Sequence, residues 1–136
     1  MPDPRHPRGL VDTSVVIDLE LIAPTALPTE VAVSAITMTE LAAGPHATAD
    51  SAERARRQDR LQRAEATFEP LPVDGEVARA YGRVYAAVSA AGRKARGRRA
   101  VDLLIAATAV AAGLPLYTRN PDDFTGLSEI LEIVAV

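Results

Sequence analysis

Asp12 directly follows Leu10-Val11, Glu40 precedes Leu41 in an apolar helical segment, and Asp102 sits inside Val101-Asp102-Leu103-Leu104-Ile105. Most of the 18 Asp and Glu residues belong on a solvated surface, but a carboxylate among apolar neighbours is costly to desolvate unless a cation stands near it. For Asp102 that cation could be Arg98 or Arg99, or the positive end of its own helix. Asp12 taken alone reads as a helix N-cap, and Glu40 taken alone as a surface helix residue. As a set, three acids at apolar borders on different elements could converge at one end of a sheet. Converging carboxylates repel one another and become tolerable around a hard divalent cation such as Mg²⁺, which prefers oxygen ligands and keeps several waters. The chemistry such a site performs is activation of water and stabilisation of charge at phosphorus.

Other chemistries are poorly supplied. No cysteine is present, so disulfides, thiolate metal sites and cysteine nucleophiles are excluded together. The two histidines are His6, in a Pro-rich start, and His46, in a loop, which leaves Ser/His/Asp catalysis and metal-free acid–base cleavage of RNA without their usual groups. No P-loop or Gly-rich dinucleotide fingerprint occurs. A phosphatase built on an Asp-x-Asp pair is disfavoured because Asp12-Thr13-Ser14 stands in its place.

The elements that must position these acids follow from the apolar pattern. Gly9-Leu10-Val11 reads as a buried strand, after which Asp12-Thr13-Ser14 offers capping residues before Val15-Val16-Ile17. Beyond a loop punctuated by Pro24 and Pro28, Val31-Ala32-Val33 forms a second strand, and Ser34 or Thr37 caps a helix carrying Glu40 that ends at Gly44-Pro45. Residues 50–67 form a polar helix with a thin stripe of Leu61, Ala64 and Phe68. Pro70 to Val73 is extended, and Asp74 caps a helix with Val77, Ala80, Tyr81, Val84 and Val88 at helical spacing, closed by Gly92. The basic segment Arg93 to Arg99 leads into the apolar helix of Asp102, stopped by Gly113 and Pro115. Leu116-Tyr117-Thr118 and Ile130 to Val136 are the remaining strands. Strands alternating with longer helices predict one domain over residues 1–136, a three-layer α/β/α sandwich with a mostly parallel central sheet. In such sheets ligands bind beyond the carboxyl ends of the strands, where Asp12 and the segment after Thr118 lie.

The chain has 136 residues, 48% hydrophobic and 24% charged, which suits one compact core. No run reaches the roughly 18 apolar residues of a membrane span and no apolar signal segment opens the sequence, so a cytoplasmic location is the default expectation. The formal charge of −3 argues against a nucleic-acid partner, but it hides basic clusters at Arg54, Arg56, Arg57, Arg60 and Arg63 and at Arg93, Lys94, Arg96, Arg98 and Arg99. The first cluster reads as a solvated helix face or a partner surface. The second reads as a solvated loop or as a grip on RNA phosphates beside the acids.

Four blocks occur in order along the chain: Leu10-Val11-Asp12-Thr13-Ser14, Thr37-Met38-Thr39-Glu40-Leu41, Val101 to Ala109, and Thr118-Arg119-Asn120-Pro121-Asp122-Asp123-Phe124. In this order and spacing they resemble the PIN-domain signatures over nearly the whole chain, and the small size resembles the VapC toxins among them. The resemblance implies an endoribonuclease with a Mg²⁺ or Mn²⁺ site built by Asp12, Glu40 and Asp102, completed by Asp123. It further implies Asn120 as a hydrogen-bonding residue toward water or substrate and Asp122 as a solvated turn residue. Thr13 and Thr118 orient the ligands or serve only as helix-cap and strand-end residues. The implied partners are an RNA substrate, a VapB-type antitoxin seated in a groove of the early helices, and a second copy of the chain, with Leu61, Phe68, Tyr81 and Tyr85 suited to such contacts. The alternative is a PIN-like module that binds RNA or protein without cutting it.

Overall fold

The structure is a computed structural model that describes residues 6–93 and 98–136. Its centre is a sheet of four parallel strands in the order β2-β1-β3-β4, where β1 is Arg8–Val11, β2 Glu30–Ala32, β3 Leu116–Thr118 and β4 Ile133–Ala135. Register pairs Leu10 with both Ala32 and Leu116, and Tyr117 with both Val11 and Val134. Parallel strands need crossovers, supplied here by helices α1 (Thr13–Ile17), α2 (Ala35–Ala43), α3 (Ser51–Thr67), α4 (Gly75–Ala90) and α5 (Arg98–Ala112).

Strand side chains alternate between faces, and both faces are covered. Leu10 and Leu116 point into a cluster with Val84, Val88, Leu103, Ile105 and Phe124 from α4, α5 and the following turn. Val11 and Tyr117, one position on, join Val15, Val16, Val33, Leu41 and Ala64 on the other side. The α/β/α sandwich expected from the alternation of elements is therefore present. Each fully buried Leu or Ile of these layers contributes about 1.5–3 kcal/mol by leaving water, and Leu10, Leu103 and Leu116 are fully buried.

Local signals set the helix starts. Ser34 caps α2 through Ile36, Asp50 caps α3 through Ala52, and Asp74 caps α4 through Val77. Thr37, the alternative cap for α2, is instead a buried residue inside it. Gly113 at φ 67 ends α5, a left-handed position that favours glycine. Gly9 is required for a different reason: a Cβ there would lie 2.6 Å from the Tyr117 ring. Among the described residues no helix is long and apolar enough to cross a membrane.

Candidate active site

β1 stops at Val11, and Asp12 leaves it in an extended conformation to cap α1. One carboxylate oxygen, Oδ1, accepts the Val15 N–H at 3.2 Å and the Ser14 hydroxyl at 2.5 Å. Asp12 is 5% exposed, so it is the helix cap that its position suggested and also a carboxylate held rigidly at a strand end. Ser14 carries a second bond, its Oγ accepting the Arg119 backbone N–H at 3.1 Å. That contact ties the start of α1 to the residue just beyond β3.

Glu40 reaches the same place from α2. The Thr13 hydroxyl donates to Glu40 Oε1 at 2.5 Å and lies 3.1 Å from the buried Thr37 hydroxyl. Asp102 projects from the first turns of α5, half-buried and with a partner of its own. After β3 the chain forms a single 3₁₀ turn, Pro121–Phe124, with Asn120 before it and Phe124 buried as its anchor. Thr118 Oγ1 accepts the Asn120 N–H at 2.9 Å, so this fully buried threonine shapes the turn. Asp123 is half-buried on the turn, whereas Asp122 is exposed.

Asp12, Glu40, Asp102 and Asp123 all line one cavity of about 190 Å³ at the carboxyl end of the sheet, together with Thr13, Ser14, Ile17, Asp18, Arg119 and Asn120. Among the described residues its ionisable lining is all oxygen acid apart from Arg119. Among the described residues no three His, Asp or Glu side chains are gathered tightly enough to ligate one ion together. An oxygen-donor set spread around a cavity suits a small hard cation gripped by one or two carboxylates and otherwise by water, the usual manner of Mg²⁺.

The basic segment behaves differently from its simplest reading. Arg93 directs its guanidinium to the Asp122 carbonyl at 3.4 Å and Arg99 to the Asp123 carbonyl at 3.1 Å, so both brace the turn that carries Asp123. Lys94 and Arg96, with the side chain of Arg98, lie outside the described residues. Sequence reasoning gave Ser14 and Thr37 only capping roles and assigned none to Arg119 or Asp18. The one available signal was that Ser14 stands two residues after Asp12, a spacing at which a hydroxyl can bond back to the carboxylate.

The family model of the PIN domain matches residues 9–129. Across 133 residues the chain is 36% identical to Ribonuclease VapC5 of Mycobacterium tuberculosis, covering 94% of this chain and 95% of that one. The chain belongs to the VapC branch of the PIN-domain family. It is also 43% identical over 102 residues to Ribonuclease VapC8 of the same species, covering 74% of this PIN domain and 89% of the relative. Its fold matches the crystal structure of VapBC-5, a member of the VapBC family of toxin–antitoxin systems from M. tuberculosis. There the TM-score is 0.81 at 36% identity over 96% of this chain and 99% of that one. FitAcB from Neisseria gonorrhoeae superposes with a TM-score of 0.69 at 26% identity over 91% of this chain and 94% of that one.

Proposed function

We propose that this PIN domain is the endoribonuclease toxin of a toxin–antitoxin pair, hydrolysing RNA phosphodiester bonds with the help of Mg²⁺ or Mn²⁺. The observation that carries the reading is the single cavity lined by Asp12, Glu40, Asp102 and Asp123, in a chain 36% identical to Ribonuclease VapC5. A bound divalent cation supplies Lewis acidity toward water and phosphate. Asp12 and Asp102 are the principal candidates to hold it, and Glu40 and Asp123 to position water. Ser14 fixes the rotamer of Asp12 and Thr13 that of Glu40, so both carboxylates enter the reaction already oriented. Asn120, on the same rim, offers a hydrogen bond to substrate, and Arg93 and Arg99 lie against the turn that carries Asp123.

A VapB-type antitoxin is the partner this reading implies. A second cavity, about 240 Å³, runs between α1 and α3 and is walled by Val16, Ile17, Leu19, Ala64 and Phe68 with Arg60 and Arg63 at its rim. Leu21, two residues on from Leu19, is 75% exposed. An apolar segment of the antitoxin is the chemistry that fits this groove. Tyr85, exposed on α4 next to Tyr81, suits a contact between two copies of the chain.

The test is cleavage of total RNA by partner-free protein. Endonucleolytic cuts that need Mg²⁺ or Mn²⁺, stop in EDTA and leave 5′-phosphate ends are expected. Cutting that persists in EDTA, or fragments ending in 2′,3′-cyclic phosphates, would overturn the metal-dependent mechanism.

A further inference from the structure

The cavity that gathers five acids, Asp12, Asp18, Glu40, Asp102 and Asp123, has a single base in its described lining, Arg119. Two contacts define its position. Its backbone N–H is fixed on Ser14 Oγ, the hydroxyl that also holds Asp12, so the side chain starts from a point locked to the acid site. Its guanidinium Nε stands 3.5 Å from Asp18 Oδ2, with the two side chains 32% and 37% exposed. Arg119 is thus tied to α1 at both ends of that helix, by backbone to Ser14 and by side chain to Asp18, the residue that closes α1.

The side-chain tie is long and half-solvated, the kind of ion pair that contributes little to stability. A guanidinium has five donors in a planar fork that matches a phosphate far better than one distant carboxylate oxygen does. We propose that Arg119 is a substrate-binding residue that takes a phosphate of the RNA backbone at the mouth of the cavity, and that Asp18 is the counter-ion it exchanges for that phosphate. Asp18 holds the guanidinium at the rim when RNA is absent and lowers RNA affinity by competing for it. The proposal deepens the ribonuclease reading and rests on it.

Binding and cleavage are separable, and the test uses binding. Anisotropy of a fluorescein-labelled, mixed-sequence single-stranded oligoribonucleotide, with divalent cations chelated, is measured for the intact protein, R119Q, R119K, D18N and D18N/R119Q. R119Q is expected to bind roughly tenfold more weakly, with a salt dependence shallower by about 0.7 in log–log slope, one phosphate contact on a single strand. R119K keeps the slope because the charge remains. D18N is expected to bind about two- to threefold more tightly, and this gain disappears when Arg119 is also replaced. Weaker binding in both single variants would make the pair a structural clamp of α1, and melting temperatures would register that clamp. Tighter binding of D18N in the R119Q background would reduce Asp18 to bulk charge. Either result, an unchanged R119Q, or an intact protein that does not bind the probe overturns the proposal. Protein that binds RNA with these signs but cuts none would leave the proposal standing and sink the nuclease reading.

Discussion

Two charged regions of this PIN domain are answered in opposite ways. Four of the five arginines of α3 are met by the protein's own acids and carbonyls: Arg56 and Arg57 both bond Glu53, Arg63 pairs with Glu20 and Asp59, and Arg54 and Arg57 reach the carbonyls of Pro45, Thr48 and Gly44. The acids Asp12 and Glu40 are instead met by hydroxyls, those of Ser14 and Thr13. A hydroxyl orients a carboxylate without cancelling its charge, whereas a guanidinium does both. Charge density alone does not mark a site; charge held in place and left uncancelled does.

The largest expected effect comes from removing a carboxylate of the acid-lined cavity. Asp102→Asn keeps the shape of the side chain and is expected to lower RNA cleavage by about two orders of magnitude or more, with the melting temperature little changed. Full cleavage by a folded Asn variant would make Asp102 structural and take it out of the acid site. A smaller effect is expected from orientation alone. Thr13→Val removes the hydroxyl on Glu40 and should cost about 10- to 100-fold in metal affinity or rate, read as a higher Mg²⁺ concentration for half-maximal cleavage. Thr13→Ser, which restores the donor, should recover most of it; equal losses in both variants would point to packing against Thr37 instead.

The sequence carried the frame of the site well and its internal wiring poorly. Asp12, Glu40 and Asp102 were visible because each interrupts or borders an apolar run, Asp123 came from the resemblance to the PIN signatures, and short apolar strands alternating with helices indicated the parallel sheet. Ser34 and Asp74 were legible as caps because capping is a local matter of one side chain and the next turn. The expected strand Ile130 to Val136 is shorter, Ile133–Ala135, because the N–H groups of Ile130 and Leu131 bond the Leu127 carbonyl in a turn. Local hydrogen bonding there outweighs β-branched propensity. The second strand ends at Ala32, since Val33 and Ala35 exchange backbone bonds with Leu71 instead. The Ser14–Arg119 bond joins residues separated by 105 positions; no periodicity encodes such a pairing, and it exists only once β1 and β3 lie side by side.

The smallest expected effect lies in the cancelled region, and it separates the two by pH. Bonds from Arg56, then Arg57, hold the Glu53 carboxyl below its ordinary 4.5. A carboxyl whose pKa is lower in the folded than in the unfolded chain stabilises the fold above the unfolded value, and that stabilisation fades as pH falls through the folded one. Glu53→Gln should therefore melt slightly below the intact protein at pH 7, and the difference should shrink as pH drops below 4.5. Because Glu53 and Arg57 are partly solvated and Arg56 is exposed, added salt should narrow the gap at neutral pH as well. RNA cleavage at pH 7 should be unchanged, since the bonds made by Glu53 stay within α3. A Glu53→Gln variant that loses cleavage while keeping its melting temperature would show that α3 arginines freed from Glu53 reach the substrate site, and the division between cancelled and uncancelled charge would fail.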